Sequence, residues 1–283
     1  MNAMVIVLAC LLSSSLETPA AGGEMVPKIT AEAASAMESV RKRYQTTPGM
    51  TVLTNARWVD PAGDVVRMER ARVIFAPTGD LKVMSPTASW TLIGQDVYVE
   101  SQYFPGMIIR ERSVGASTSK LEVLDRIWPF SKMPIEVRLR LASDVEDAFA
   151  PFFTLIGSDG TVEASTQIWS DGASCEVIQF RSADQSTSLE VWIDVPTGLL
   201  RGVRGTYGTA ESRRKVEVIS EPTETPRPPK VLVASAGRRE FQSYAALAAE
   251  WAKNFAVPNL ARTPATEAAA PSDGITPSST LSK

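Results

Sequence analysis

Between residues 50 and 112 the chain alternates apolar and polar side chains, and each link between the alternating runs is only a few residues long. Pro61-Ala62-Gly63-Asp64, Thr78-Gly79-Asp80, Ser85-Pro86 and Gly94-Gln95 are turn sequences. Parallel neighbours need a crossover of about a dozen residues or more, so links this short permit only antiparallel pairs. The runs "MTVLTNARWVD", "VVRMERARVIFAP", "LKVMSP", "SWTLIG", "DVYVESQ" and "GMIIRERSV" therefore predict an antiparallel meander.

A second meander is predicted after residue 160. Its runs are "TVEASTQIW", "SCEVIQF", "SLEVWID", "GLLRGVRGTYG" and "RKVEVIS", which brings the expected total to about 11 strands. Helical spacing appears first in "ITAEAASAMESVRKRYQ", where Ala33, Met37, Val40 and Tyr44 share a face and Thr30 can cap. Residues 119–156 break the strand rhythm. "KLEVLDRIWPF" has helical spacing, "PIEVRLRLA" reads as a strand, and a helix is expected from Ser143 with Glu146 completing a capping box. Pro129 and Pro151 are expected to break these segments.

The flanks differ in composition. Residues 1–21 pair an apolar run, "AMVIVLACLL", with a small and polar stretch, and read as an export signal. The run is shorter than the roughly 20 residues that span a bilayer, so no transmembrane span is expected in the mature chain. Val7-Leu8-Ala9-Cys10 loosely matches a lipobox, which would make Cys10 a lipid anchor; the alternative is one more apolar residue of the signal. Residues 221–230, "EPTETPRPPK", read as a proline-rich linker. Residues 235–256 read as an amphipathic helix with Phe241, Tyr244, Trp251 and Phe255 on one stripe. Residues 263–283 are Ala, Pro, Ser and Thr with little else, and are expected to be disordered.

Histidine is absent from all 283 residues, which removes imidazole bases, Ser-His and Cys-His nucleophile pairs, and most zinc sites. Cys175 is the single cysteine beyond the leader, on a strand pattern that favours burial. A net charge of -3 without a basic stripe argues against nucleic acid as a partner. Ser117-Thr118-Ser119-Lys120 fits Ser-x-x-Lys but lacks the companion motifs of penicillin-recognising enzymes. A hydrolase built on paired carboxylates stays formally open, because Asp and Glu number 32. No cofactor is called for.

A leading helix, a long meander with alternating Arg and Glu, a helical insert and a second meander resemble the LolA-like family of bacterial periplasmic proteins. The hairpin Leu189-Glu190-Val191-Trp192-Ile193-Asp194, then Thr197-Gly198, then Leu199-Leu200-Arg201, carries most of the likeness, and "DVVRMERARVIFAP" adds to it. The likeness covers residues 29–220. It implies an α+β, mainly antiparallel β fold: an incomplete, half-open β-barrel with helices covering the concave side. It also implies a non-enzymatic carrier or sensor of lipoprotein acyl chains in the periplasm. In that family an arginine on an early strand gates the lid. Arg57, Arg67, Arg70 and Arg72 lie in the corresponding region, and the sequence does not choose among them.

The alternation places Val73, Phe75, Trp90, Leu92, Val97, Val99, Leu189, Val191 and Ile193 on the inside of such a barrel, as a hydrophobic lining for an acyl chain or as a filled core. Trp192 falls on the other face, near Glu190 and Asp194. The stripe of Phe241, Tyr244, Trp251 and Phe255 would serve as a lid, a membrane-surface helix or a partner-binding segment. The function expected is an exported, non-enzymatic lipid or lipoprotein carrier. The alternative is an envelope sensor that binds a protein partner.

Overall fold

The computed structural model describes residues 27–112, 119–127, 133–208, 213–224, 238–243, 245–247 and 249–250. The segment expected to be an export signal, the lipobox match at Cys10 and the tail expected to be disordered all lie outside the described residues.

The first meander forms as β2 (Met50–Val59), β3 (Val65–Phe75), β4 (Leu81–Met84), β5 (Ala88–Ile93), β6 (Asp96–Ser101) and β7 (Met107–Arg112). The second forms as β8 (Thr161–Ile168), β9 (Ser174–Arg181), β10 (Ser188–Asp194), β11 (Leu200–Tyr207) and β12 (Arg214–Glu224). Two short strands, β1 (Lys28–Ile29) and β13 (Arg239–Phe241), lie at the margins and bring the described total to 13. All belong to one sheet, ordered β1-β8-β9-β10-β11-β12-β2-β3-β4-β5-β6-β7-β13. The sheet is not closed, and only its two marginal pairs, β1–β8 and β13–β7, run parallel.

The meanders join through β12 and β2, which pair antiparallel from Lys215 opposite Val59 to Glu224 opposite Met50. This corrects the start of the expected linker. Glu221, Pro222, Thr223 and Glu224 continue β12, and Pro222 is tolerated opposite Val52. The hydrogen bonds of a long neighbouring strand outweigh the local proline signal there.

Glycine lets the sheet bend at β11. A Cβ on Gly202 would run into the Val218 carbonyl oxygen, and one on Gly205 would run into that of Ser188. The register also slips between Trp192 and Ile193 on the adjoining β10. Strand glycines beside a bulge are the usual means of curling a sheet. The β10–β11 turn is held by its own side chains. The Asp194 carboxylate accepts from the Thr197 N–H and hydroxyl, and Arg201 donates to Asp194 and Asp171 at 2.9 and 2.6 Å.

Four helices lie against one face: α1 (Ala31–Thr46), α2 (Lys120–Ile127), α3 (Ile135–Leu141) and α4 (Val145–Ile156). Thr30 caps α1 as expected, accepting from the Ala33 N–H at 3.2 Å. Three local expectations fail. "IEVRLRL" is the helix α3 rather than a strand, and the α4 cap is Asp144, which accepts from the Asp147 N–H, rather than Ser143. Pro151 lies inside α4 instead of ending it.

Pro151 is accommodated from outside its helix. It has no N–H for the Asp147 carbonyl four residues earlier. The Arg138 guanidinium on α3 donates to that carbonyl twice, at 3.2 and 2.7 Å, and reaches Asp125 on α2 at 2.7 Å. One buried arginine thus ties three helices together. Arg140, further along α3, donates to the carbonyls of Tyr44, Gln45 and Thr47, where α1 has run out of its own donors.

Candidate ligand trough

The helix-covered face is apolar in depth. Val73, Phe75, Leu92, Val97, Val99, Leu189, Val191 and Ile193 belong to one buried cluster, and Trp90 packs partly buried against it. The same cluster takes in Met37, Val40 and Tyr44 of α1, Leu124 of α2, Val137 and Leu139 of α3, and Phe149 of α4. The nine residues chosen from sequence therefore share one wall. The helices are packed directly on that wall; Val73, Val97 and Val191 are 0 % exposed.

Ladder register explains how the wall is built. Val52 lies opposite Val73, Val73 opposite Val83, Val83 opposite Trp90 and Trp90 opposite Val99. On the other meander Val191 lies opposite Val203, Val203 opposite Val218 and Val218 opposite Ala56. The two rows reach β2 four residues apart, at Ala56 and Val52, and alternation keeps both on its inward face.

Among the described residues, the helices do not reach the far end of β2, β3, β11 and β12. Trp58, Ala71, Tyr207 and Val218 pack on the cluster yet stay partly exposed. The Arg67 guanidinium lies 4.8 Å from the Trp58 ring centre and pairs with Glu69. Arg57 pairs with Glu217 on β12. The arginines that reach helix backbone are others: Arg41, which donates to the carbonyls of Ala142 and Ser143, together with Arg138 and Arg140.

A polar spot interrupts the apolar wall. Glu136 of α3 is 0 % exposed and accepts from the Ser220 hydroxyl on β12, while its Oε2 has no hydrogen-bond partner among the described residues. Thr54, opposite Ser220 on β2, also has a hydroxyl without a partner among the described residues. Burial raises the Glu136 carboxyl above its ordinary range, and burial together with Glu136 raises the Tyr44 phenol. Glu136 was missed from sequence because a strand reading of "PIEVRLRLA" turns it to solvent; a helical reading would have set an acid among Ile135, Val137 and Leu139.

Phe241 is buried in the cluster, but on β13, opposite Ile109, rather than on a helix. That corrects the start of the expected 235–256 helix. Residues 245–247 and 249–250 are helical, and Tyr244, Trp251 and Phe255 lie outside the described residues.

Trp192 falls on the opposite face of the sheet, as its alternation requires. It forms a small separate cluster with Trp169, Cys175 and Val177, its ring 5.0 Å from Trp169, and its Nε1 donates to Glu190 at 3.1 Å. Arg204 stacks over Trp169 at 3.6 Å. This cluster caps Cys175, whose thiol is pushed up by burial. A separate open cleft of about 340 Å³ lies between α1 and α4, lined by Met37 and by the charged groups Glu38, Arg41, Asp144 and Glu146. Among the described residues no three His, Cys, Asp or Glu side chains are grouped to hold a metal, and no helix is long and apolar enough to cross a membrane.

No family model matches the sequence, and no curated protein does. Solved structures do. An uncharacterised conserved protein from Thermus thermophilus matches at 10% identity and a TM-score of 0.40, over 75% of this chain and 99% of its own. The lipoprotein LppX of Mycobacterium tuberculosis matches at 13% identity and a TM-score of 0.36, over 71% of this chain and 98% of its own. A LolA superfamily protein from Nitrosomonas europaea matches at 10% identity and a TM-score of 0.29, over 69% of this chain and 94% of its own. The last of these bears the name of the family that the sequence resembles. Function has to be argued from this chain's own residues.

Proposed function

We propose that the protein is an exported, non-enzymatic binding protein of the cell envelope that holds a lipid or lipoprotein acyl chain in its half-barrel. One observation supports this most: apolar side chains line the inward face from beneath the helices, past the polar spot of Thr54, Ser220 and Glu136, to an end where Trp58, Ala71, Tyr207 and Val218 stay partly exposed. An acyl chain enters at that end and displaces the cover inward from it. Each buried methylene contributes about 0.8 kcal/mol, so a dozen contribute roughly 10 kcal/mol. Several kcal/mol of that offset the ordering of the chain and the loss of helix contacts.

The bonds among the helices suit reversible displacement, while buried bonds from the Leu200 N–H to Tyr44 and from the Ser220 hydroxyl to Glu136 hold α1 and α3 on the sheet. Arg41, Gln45 and Arg140 join the helices to one another at carbonyls on partly exposed edges. Water can replace such bonds at low net cost. The apolar wall has no comparable substitute unless an apolar ligand takes the helices' place.

The test is a fluorescent fatty-acid probe titrated into delipidated protein. The wild type brightens the probe. Ala71→Trp, which fills the uncovered end, weakens binding at least tenfold while circular dichroism stays unchanged. A wild type that gives no response with any acyl probe, and carries no lipid on purification, overturns the reading.

A further inference from the structure

Among the described residues, one margin of the sheet lacks the usual protection. β1 covers β8 only at Thr161 and Val162, because the chain then turns away into α1. The Lys28 N–H donates to the Gly160 carbonyl and the Thr30 N–H to that of Val162, so even-numbered residues point their main-chain groups outward along this margin. Beyond Val162 those are Ala164, Thr166 and Ile168, and none of their main-chain N–H or C=O groups has a partner among the described residues.

Exposed sheet margins are ordinarily blunted by lysine, proline, a bulge or a covering element. "EASTQI", residues 163–168, has none of the first three. Its one charge, Glu163, is already 3.5 Å from Arg181 of β9. Ile168 is 64% exposed. The opposite margin differs, since β13 carries Arg239 and Glu240 on its three residues.

We propose that the β8 margin is an isologous interface, and that its occupant is β8 of a second copy of this chain. Antiparallel pairing requires each outward residue to face an outward residue. A two-fold axis at Thr166 satisfies this for all three at once: Thr166 faces Thr166, and Ala164 faces Ile168 in both directions. Each of these pairs then exchanges both of its N–H···O bonds. An axis at Ala164 would ask Val162 to pair again, although Thr30 already holds it. An axis at Ile168 would run into the Trp169–Ala173 turn.

Side chains agree with that register. Val162 is buried in the core cluster, so Ala164, Thr166 and Ile168 share its face. On that face hydroxyl meets hydroxyl, and exposed Ile168 meets Ala164. On the other face Ser165 meets Gln167 and Glu163 meets Trp169. No like charges are opposed, and hydroxyl pairs of this kind stabilise sheets. Such self-complementarity is what a two-fold interface needs and what an arbitrary peptide would not require. The inference is independent of any ligand in the trough.

Sedimentation of the full chain, in a Cys10→Ser background, tests it. The wild type moves from monomer to dimer as concentration rises. Thr166→Pro removes an N–H that bonds nothing within the described chain, so its melting curve is unchanged, but its dimer constant weakens at least tenfold. Thr166→Cys cross-links under mild oxidation, because such a pair lies about 5.5 Å apart at Cα, within disulfide reach. Ser165→Cys, facing Gln167, stays uncross-linked. A wild type that is monomeric at every concentration, a Thr166→Pro variant that dimerises normally, or equal cross-linking at 165 and 166 overturns the proposal. A monomer whose margin binds an added peptide strand instead would assign it to a different occupant and likewise overturn the dimer.

Discussion

Replacing Arg138 by Met should be costly, and the cost should depend on Pro151. Arg138 is 2% exposed and serves two acceptors, the Asp147 carbonyl and the Asp125 carboxylate. Removing one member of a buried charged pair costs about 3–5 kcal/mol. Part of that is the Asp147 carbonyl left without a donor, worth about 1–3 kcal/mol. Pro151→Ala supplies a donor, because alanine has the N–H that completes the helix bond to Asp147. In that background Arg138→Met should therefore cost about 1–2 kcal/mol less than in the wild type. Urea denaturation of the four proteins in the cycle, with equal m-values, reads the coupling directly. Additivity within about 0.5 kcal/mol would refute the claim that the arginine substitutes for the missing proline donor.

Three further outcomes are expected. Glu136→Gln should stabilise the protein at neutral pH. Burial raises the Glu136 pKa above 4.5, so the folded state favours the neutral acid, and wild-type stability is lost as pH rises through the raised value. The melting-temperature difference between the Glu136→Gln variant and wild type should be smallest in acid, below the ordinary carboxylate range, and should widen as pH rises; a constant difference would contradict this. Gly202→Ala should destabilise by about 3 kcal/mol or more, as its Cβ meets the main chain of β12, and a change under about 1 kcal/mol in chemical denaturation would show that β11 can relax. Trp192→Ala should open the outer cluster and speed labelling of Cys175 by a thiol reagent at least tenfold, with unfolding still cooperative; an unchanged rate means that another group shields the thiol.

What could be read from sequence was what repeats locally. The two meanders, α1 with its Thr30 cap, and the shared wall from Val73 to Ile193 all follow from period-two or period-3.6 spacing, and the structure has them. What could not be read depends on distant partners. α3 alternates like a strand, but Glu136, Arg138 and Arg140 find acceptors or donors on Ser220, Asp147 and the end of α1 only when the segment is helical. Phe241 fits a helical stripe with its successors, yet β7 offers it a ladder position opposite Ile109. Pro222 signals a linker, yet β2 is long enough to carry β12 past it. In each case a weak local preference yields to main-chain groups that a remote element leaves unpaired.

The ladder between β2 and β12 also sets an order of events. β2 is made early in synthesis and its neighbour is nearly the last strand to emerge, so the two half-sheets cannot merge until Glu224 is free. Contacts so remote along the chain slow folding. In the interval β2 has one flank bonded to β3 and the other bare, with Leu53 and Val59 beside open main chain. A newborn molecule of this design is therefore at its most adhesive just before completion, and a holding chaperone that shields β2 until β12 arrives is the natural remedy.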